Sequence, residues 1–151
     1  MSSLKKVTQK GFTIVELLIV IVVIGILAAL VITTYNGIQQ KGRNTERQTD
    51  AKALQGQLEA YYAQNGQYPT LAQLNTDPTL DSGFIKTSMK GLDVEALRDP
   101  KATAGTYVLV ATADADSYGY STTGTAPDIT AYTLTYKEEG KDANTVVKSL
   151  N

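Results

Sequence analysis

The chain has 151 residues, 14 of them basic and 15 acidic, and it contains neither cysteine nor histidine. That inventory removes disulfide staples, thiol chemistry, Cys/His zinc sites and the usual general base, so no enzymatic activity and no cofactor are expected. A formal net charge of -1 also argues against a strong polyanion binder.

Residues 1–11, MSSLKKVTQKG, carry Lys5, Lys6 and Lys10 and precede 21 residues, 12–32, with Glu16 as their one charge. About 20 apolar residues at a helical rise of roughly 1.5 Å span a bilayer core of roughly 30 Å, and no proline breaks this run. The lysines ahead of it would hold that end in the cytoplasm. A carboxyl inside such a segment costs on the order of 2 to 4 kcal/mol and demands a partner. The run offers Glu16 no basic residue. Its partner is therefore expected on another molecule, at the membrane surface, or at a free α-amine made by cutting the chain just before the run.

The residues Gly11-Phe12-Thr13-Ile14-Val15-Glu16-Leu17-Leu18 resemble the class III signal of type IV pilins and of type II secretion pseudopilins. The resemblance implies a membrane peptidase, the prepilin peptidase, that cuts between Gly11 and Phe12 and methylates the new amino terminus at Phe12. It also implies that Glu16 serves subunit assembly by meeting an N-terminal amine. A Sec signal peptide would be shorter and would end at small residues, and a plain membrane anchor explains neither the Gly11-Phe12 junction nor Glu16. Loss of residues 1–11 would take three lysines from the 14 basic residues and leave the shorter chain four charges negative. Many pilins have a C-terminal disulfide loop; this cysteine-free chain departs from that subset.

Past the apolar run, residues 33–65 continue as the same helix, giving one helix over 12–65. Ala51, Leu54, Leu58, Tyr61 and Tyr62 recur at three- and four-residue spacing and form one apolar face, with the tyrosines read as core. Asn65-Gly66 stops the helix and Tyr68-Pro69 forbids its continuation. Gly25, Gly37, Gly42 and Gly56 each cost on the order of 1 kcal/mol in a helix interior, and Thr33-Thr34 adds two β-branched residues, so local opening between positions 25 and 42 is expected to be cheap. The stretch from Tyr61 to Pro69, YYAQNGQYP, also resembles the close of the long helix in pilins and pseudopilins.

Beyond it, Thr70 precedes a short helical turn at 71–74, and 93–98 predicts another before Asp99-Pro100. Strands are expected at 106–111, 118–121, 131–137 and 145–150, with Tyr132, Leu134 and Tyr136 sharing one face. The whole reads as an α+β fold: a leader at 1–11, a membrane or filament-core segment at 12–32, and a globular domain at 33–151 in which three or four antiparallel strands lie on the amphipathic half of the helix.

Two further clusters carry the residue types of a binding site. Asp114 and Asp116 stand at the i, i+2 spacing of calcium loops, and the major pseudopilins carry calcium in late loops. The fuller ligand pattern is missing, so the pair reads as turn formers and no metal is expected. Lys41, Arg43, Arg47 and Lys52 make a basic stretch, but Glu46 and Asp50 interrupt it, and nucleic acid is not an expected partner. The reading that results is a type IV pilus subunit for adhesion, motility or DNA uptake, with a secretion pseudopilin as the alternative. It would sit as a single-pass protein in the inner membrane and then in an extracellular filament. Its expected partners are copies of itself, the prepilin peptidase, a pilus assembly platform and minor pilins.

Overall fold

The computed structural model describes residues 11–150. The leader therefore lies outside the described residues except for Gly11. Helix α1 runs Ile14–Asn65 without interruption. Short helices α2 (Leu71–Leu74) and α3 (Phe84–Ser88) follow, then a 3-10 turn at Val94–Leu97 and strands β1 (Gly119–Thr123), β2 (Ala131–Tyr136) and β3 (Thr145–Lys148). The chain divides into two compact units, one ending at Gln39 and the other beginning at Gln40.

The first unit is the apolar front of α1. Every side chain from residue 11 to 39 is exposed, and α1 is long and apolar enough there to cross a membrane. Backbone hydrogen bonds close within the helix, so this stretch needs no neighbour to satisfy its polar groups. Its side chains have nothing of this unit to bury against.

The second unit builds a core in the ordinary way. Ala51, Leu54, Leu58 and Tyr61 of α1 are buried, which confirms the apolar face read from their spacing. They share one core with Tyr120, Tyr132, Leu134 and Tyr136 of the sheet and with Tyr68, Leu74, Ile85, Met89 and Leu97 of the intervening segment. The sheet has the order β1-β2-β3 and is antiparallel throughout. Tyr120 stands opposite Leu134, and Leu134 opposite Val147. Burial along β2 alternates strictly, with Tyr132, Leu134 and Tyr136 turned inward, as a strand with one covered face requires. Tyrosine rings supply much of the filling: Tyr68 meets Tyr132 edge-on at 4.8 Å and Tyr62 stacks on Tyr68 at 4.5 Å. Glu59 accepts from the Tyr68 hydroxyl at 2.7 Å and the Tyr132 hydroxyl at 3.1 Å, so the polar tips of both rings are satisfied.

Local chemistry sets most boundaries. Gly66 takes φ +72 and its N–H donates to the Tyr62 carbonyl at 2.7 Å, ending α1 where the sequence places the stop. Thr70 and Gln73 form a capping box at α2. One expectation needs correction and one element has no expectation to meet. Residues 106–111 do not form a strand; one isolated bridge, Val110 to Gly119, is all they contribute. The reason is that the Asn75 side chain takes both backbone groups of Leu109, accepting from its N–H at 2.9 Å and donating to its carbonyl at 2.8 Å. A side chain thus occupies the place of a neighbouring strand, and intrinsic β-propensity yields to tertiary contact. Helix α3, with no side-chain cap at Gly83, has no counterpart in the sequence reading.

Candidate functional site

The first turn of α1 organises the residues singled out at the N-terminal junction. Gly11 and Phe12 precede the helix; both are exposed, Phe12 at 89%. Thr13 is the cap. Its Oγ1 accepts from the Glu16 N–H at 3.2 Å, while Glu16 Oε2 accepts from the Thr13 N–H and from Thr13 Oγ1, each at 2.7 Å. This is a capping box, in which two groups that a helix start leaves without partners satisfy each other.

That geometry gives Glu16 a hydrogen-bond partner in its own first turn, beside the charged amine expected for it. Thr13, three residues away, already holds one of its oxygens. It holds the carboxylate against the backbone of the residue that follows Phe12, one position from the junction. Glu16 Oε1 makes no hydrogen bond among the described residues. The carboxylate therefore keeps one oxygen for a further donor. The signal was present in the sequence as Thr13-x-x-Glu16, the spacing of a capping box.

The other candidates fall differently. Asp114 Oδ1 accepts from the Asp116 N–H at 2.9 Å and from Ser117 Oγ at 2.7 Å. The aspartate is closing its own turn, and these bonds hold its carboxyl below the ordinary aspartate range. Among the described residues no group of three or more acidic side chains gathers at a possible metal position. Of the basic stretch, Arg43 and Arg47 are used internally. Arg47 is fully buried and forks onto Asp99, Nε to Oδ2 at 2.6 Å and Nη2 to Oδ1 at 2.8 Å. Its Nη1 reaches Asn44 Oδ1 at 3.0 Å and Glu139 Oε1 at 3.3 Å. Arg43 Nη2 donates to Glu139 Oε2 at 2.8 Å. The Asn44 side chain closes the cluster by accepting from the Glu139 N–H at 2.9 Å and donating to its carbonyl at 3.1 Å.

This clasp joins α1 to the segment after the 3-10 turn and to the β2–β3 connection. The hydrogen bond from Arg43 is the chief reason that the Glu139 carboxyl falls to about 2. Arg47 stands on the buried row 47, 51, 54, 58 and 61, four residues ahead of Ala51. The sequence reading names it only within an interrupted basic stretch and does not place it on this row. One turn further on, Asp50 Oδ2 accepts from the Tyr118 hydroxyl at 2.8 Å. Burial, against the opposing effect of that hydrogen bond, raises the Asp50 carboxyl to about 6.

Comparison with known proteins bears on this architecture. Residues 6–32 match the prokaryotic N-terminal methylation motif. The type II secretion system core protein G of Escherichia coli strain K12 is 32% identical over 141 residues, covering 87% of this chain and 96% of that protein. The chain belongs to the type IV pilin and pseudopilin family. Core protein G of Klebsiella pneumoniae is 40% identical over 65 residues, 43% of this chain and 46% of its own length. The fimbrial protein EcpC of Eikenella corrodens is 39% identical over 64 residues, 42% of each chain. No solved structure matches. Family membership accounts for the division of the molecule. An apolar helix with a methylation motif fits inner-membrane anchoring before assembly, and a pilin-like α+β unit follows it.

Proposed function

We propose that this chain is a pseudopilin, the subunit of a type II secretion pseudopilus, and that its role is structural rather than catalytic. The observation that carries this reading is the similarity to a core protein G over nearly that protein's whole length. It moves the preference from a surface pilus, favoured by the sequence reading, to the secretion alternative. The fimbrial relative supports the pilus reading over a shorter stretch.

In this reading the prepilin peptidase cuts between Gly11 and Phe12 and methylates the new amine of Phe12. Three features of the junction support it. Among the described residues, Gly11 has no neighbouring atom within 4 Å of where a Cβ would lie. The backbone at 11–13 is outside the helix, as an extended peptidase substrate must be. The Thr13–Glu16 box then holds the carboxylate near the newly made amine. In polymerisation, Glu16 uses its remaining oxygen to accept from the amine of a neighbouring copy, and the apolar front of α1 buries its exposed side chains among those of other copies. Removing one partner of such a pair in a low-dielectric core costs roughly 3 to 5 kcal/mol.

Deletion of the gene in its host separates the two readings. Loss of secreted enzymes from the medium with surface motility intact is the expected outcome. Loss of motility or adhesion with secretion intact would transfer the assignment to a pilus.

A further inference from the structure

The residue spacing that starts α1 recurs inside it. Thr13-x-x-Glu16 and Thr70-x-x-Gln73 both close as capping boxes, at the starts of α1 and α2. Thr45-Glu46-Arg47-Gln48 has the same spacing, yet it lies within the helix and neither side chain caps anything there. Thr45 Oγ1 bonds back onto the Lys41 carbonyl at 2.9 Å. Gln48 is exposed, and its side chain makes no hydrogen bond among the described residues. Both line an open polar hollow of about 200 Å³ with Lys41, Asn44 and Glu138, so they have room to turn toward each other. Glu46 would stand first in a helix begun at Thr45, where a carboxylate favours the helix dipole.

The stretch ahead of Thr45 is suited to open. Gly37 and Gly42 have no atom of the described residues within 4 Å of where a Cβ would lie, so packing calls for glycine at neither position, and each weakens the helix that holds it. The opening has a defined end. Arg43 and Asn44 are pinned on Glu139, and Arg47 on Asp99. The buried row of α1 begins at Arg47, two residues past Thr45. A helix that restarts at Thr45 therefore keeps every core contact that α1 makes.

We propose that Thr45–Gln48 is a latent second start for α1. Residues 37–44 open as a unit, and the helix from Glu46 onward restarts with Thr45 as its cap and with Gln48 accepting from the Thr45 N–H. The opened segment is a hinge of fixed length, because the cap stops it at one residue. Eight residues reach about 12 Å as helix and at most about 29 Å extended. The hinge is a property of the single chain and holds whether the subunit serves a pseudopilus or a pilus.

Hydrogen exchange of the full chain in detergent micelles, read by mass spectrometry, tests this. Thr45→Val and Thr45→Asn separate the cap from the helix, because valine, asparagine and threonine have nearly equal helix propensity and valine alone cannot cap. Loss of the cap makes the opened state costlier. Exchange at 37–44 should therefore be about fivefold slower in Thr45→Val and no slower than wild type in Thr45→Asn. The direction is diagnostic, since a substitution that merely weakened the helix would speed exchange. Gln48→Ala should slow it in the same sense. Thr49→Val should leave it unchanged: the Thr49 hydroxyl makes the same back bond, to the Thr45 carbonyl at 2.9 Å, but Lys52 stands three residues on in place of an acceptor. Equal exchange in Thr45→Val and Thr45→Asn would overturn the proposal, and so would wild-type exchange in which 37–44 and 49–65 open together.

Discussion

One helix, α1, lives under two sets of rules. Its front half exposes every side chain within its own unit, whereas its rear half buries Arg47, Ala51, Leu54, Leu58 and Tyr61 along a single row. The backbone conformation is the same in both. What differs is where the side chains find partners: inside the same unit for the rear half, and, on the function proposed above, in lipid or in other copies for the front half. Helical hydrogen bonding therefore says little about which residues stabilise the folded subunit and which stabilise the polymer, and substitutions should separate the two.

The largest effect is expected at Glu16, and only on assembly. Glu16→Ala should cut filament yield at least about tenfold, the consequence of an unpaired charge worth roughly 3 to 5 kcal/mol, while thermal unfolding of the globular unit stays unchanged. Glu16→Gln sharpens this test, since glutamine also serves at the third position of a capping box. If the charge is what matters, Glu16→Gln fails as Glu16→Ala does. Normal filaments from the glutamine variant would reduce the role of Glu16 to starting the helix.

The mirror image is Arg47. Its truncation to alanine leaves Asp99 buried and unpaired, and unfolding of the globular unit should be easier by roughly 3 to 5 kcal/mol. Replacement by methionine together with Asp99→Leu should recover most of that loss, because a buried pair is often matched by apolar groups of similar volume. Leu58→Ala, read by chemical denaturation, should cost roughly 2 to 5 kcal/mol through lost burial and the cavity left behind. Val22→Ala, a comparable truncation in the front half, should leave the same denaturation curve where it was.

The smallest effect concerns Asp50. Its carboxyl titrates near 6 in the fold against an ordinary 3.8, so the folded state binds the proton more tightly. Stability from this group is highest below about 4, declines as pH rises through the window to about 6, and its cost is complete above that. Asp50→Asn should therefore raise stability at pH 7 by on the order of 1 kcal/mol, allowing for solvent screening of a half-buried group. The variant should also flatten the profile between pH 4 and 6. A wild-type profile that rises with pH across that window would contradict the assignment.

How much of this was legible in the sequence follows the same division. The long helix, its stop at Gly66, the turn at 71–74 and the inward row of β2 were readable because local propensity and burial agree there. What the sequence did not reveal lies where a side chain stands in for backbone or a charge enters the core. Asn75 takes the backbone groups of Leu109 and prevents a strand that Thr106, Tyr107 and Val108 would otherwise favour. Arg47 enters the core because Asp99, 52 residues away, is there to receive it, and no local pattern reveals so distant a partner. The Thr13–Glu16 box was visible as a motif, yet the glutamate's setting in an apolar run drew attention to a charged partner rather than to its own first turn.

The central claim is that the front of α1 is made to be cut, methylated and packed into a polymer. Intact-mass measurement of purified filaments tests it most directly. The account predicts a subunit that begins at Phe12 and carries one added methyl group on its amine. Filaments built from subunits that retain residues 1–11 would contradict it.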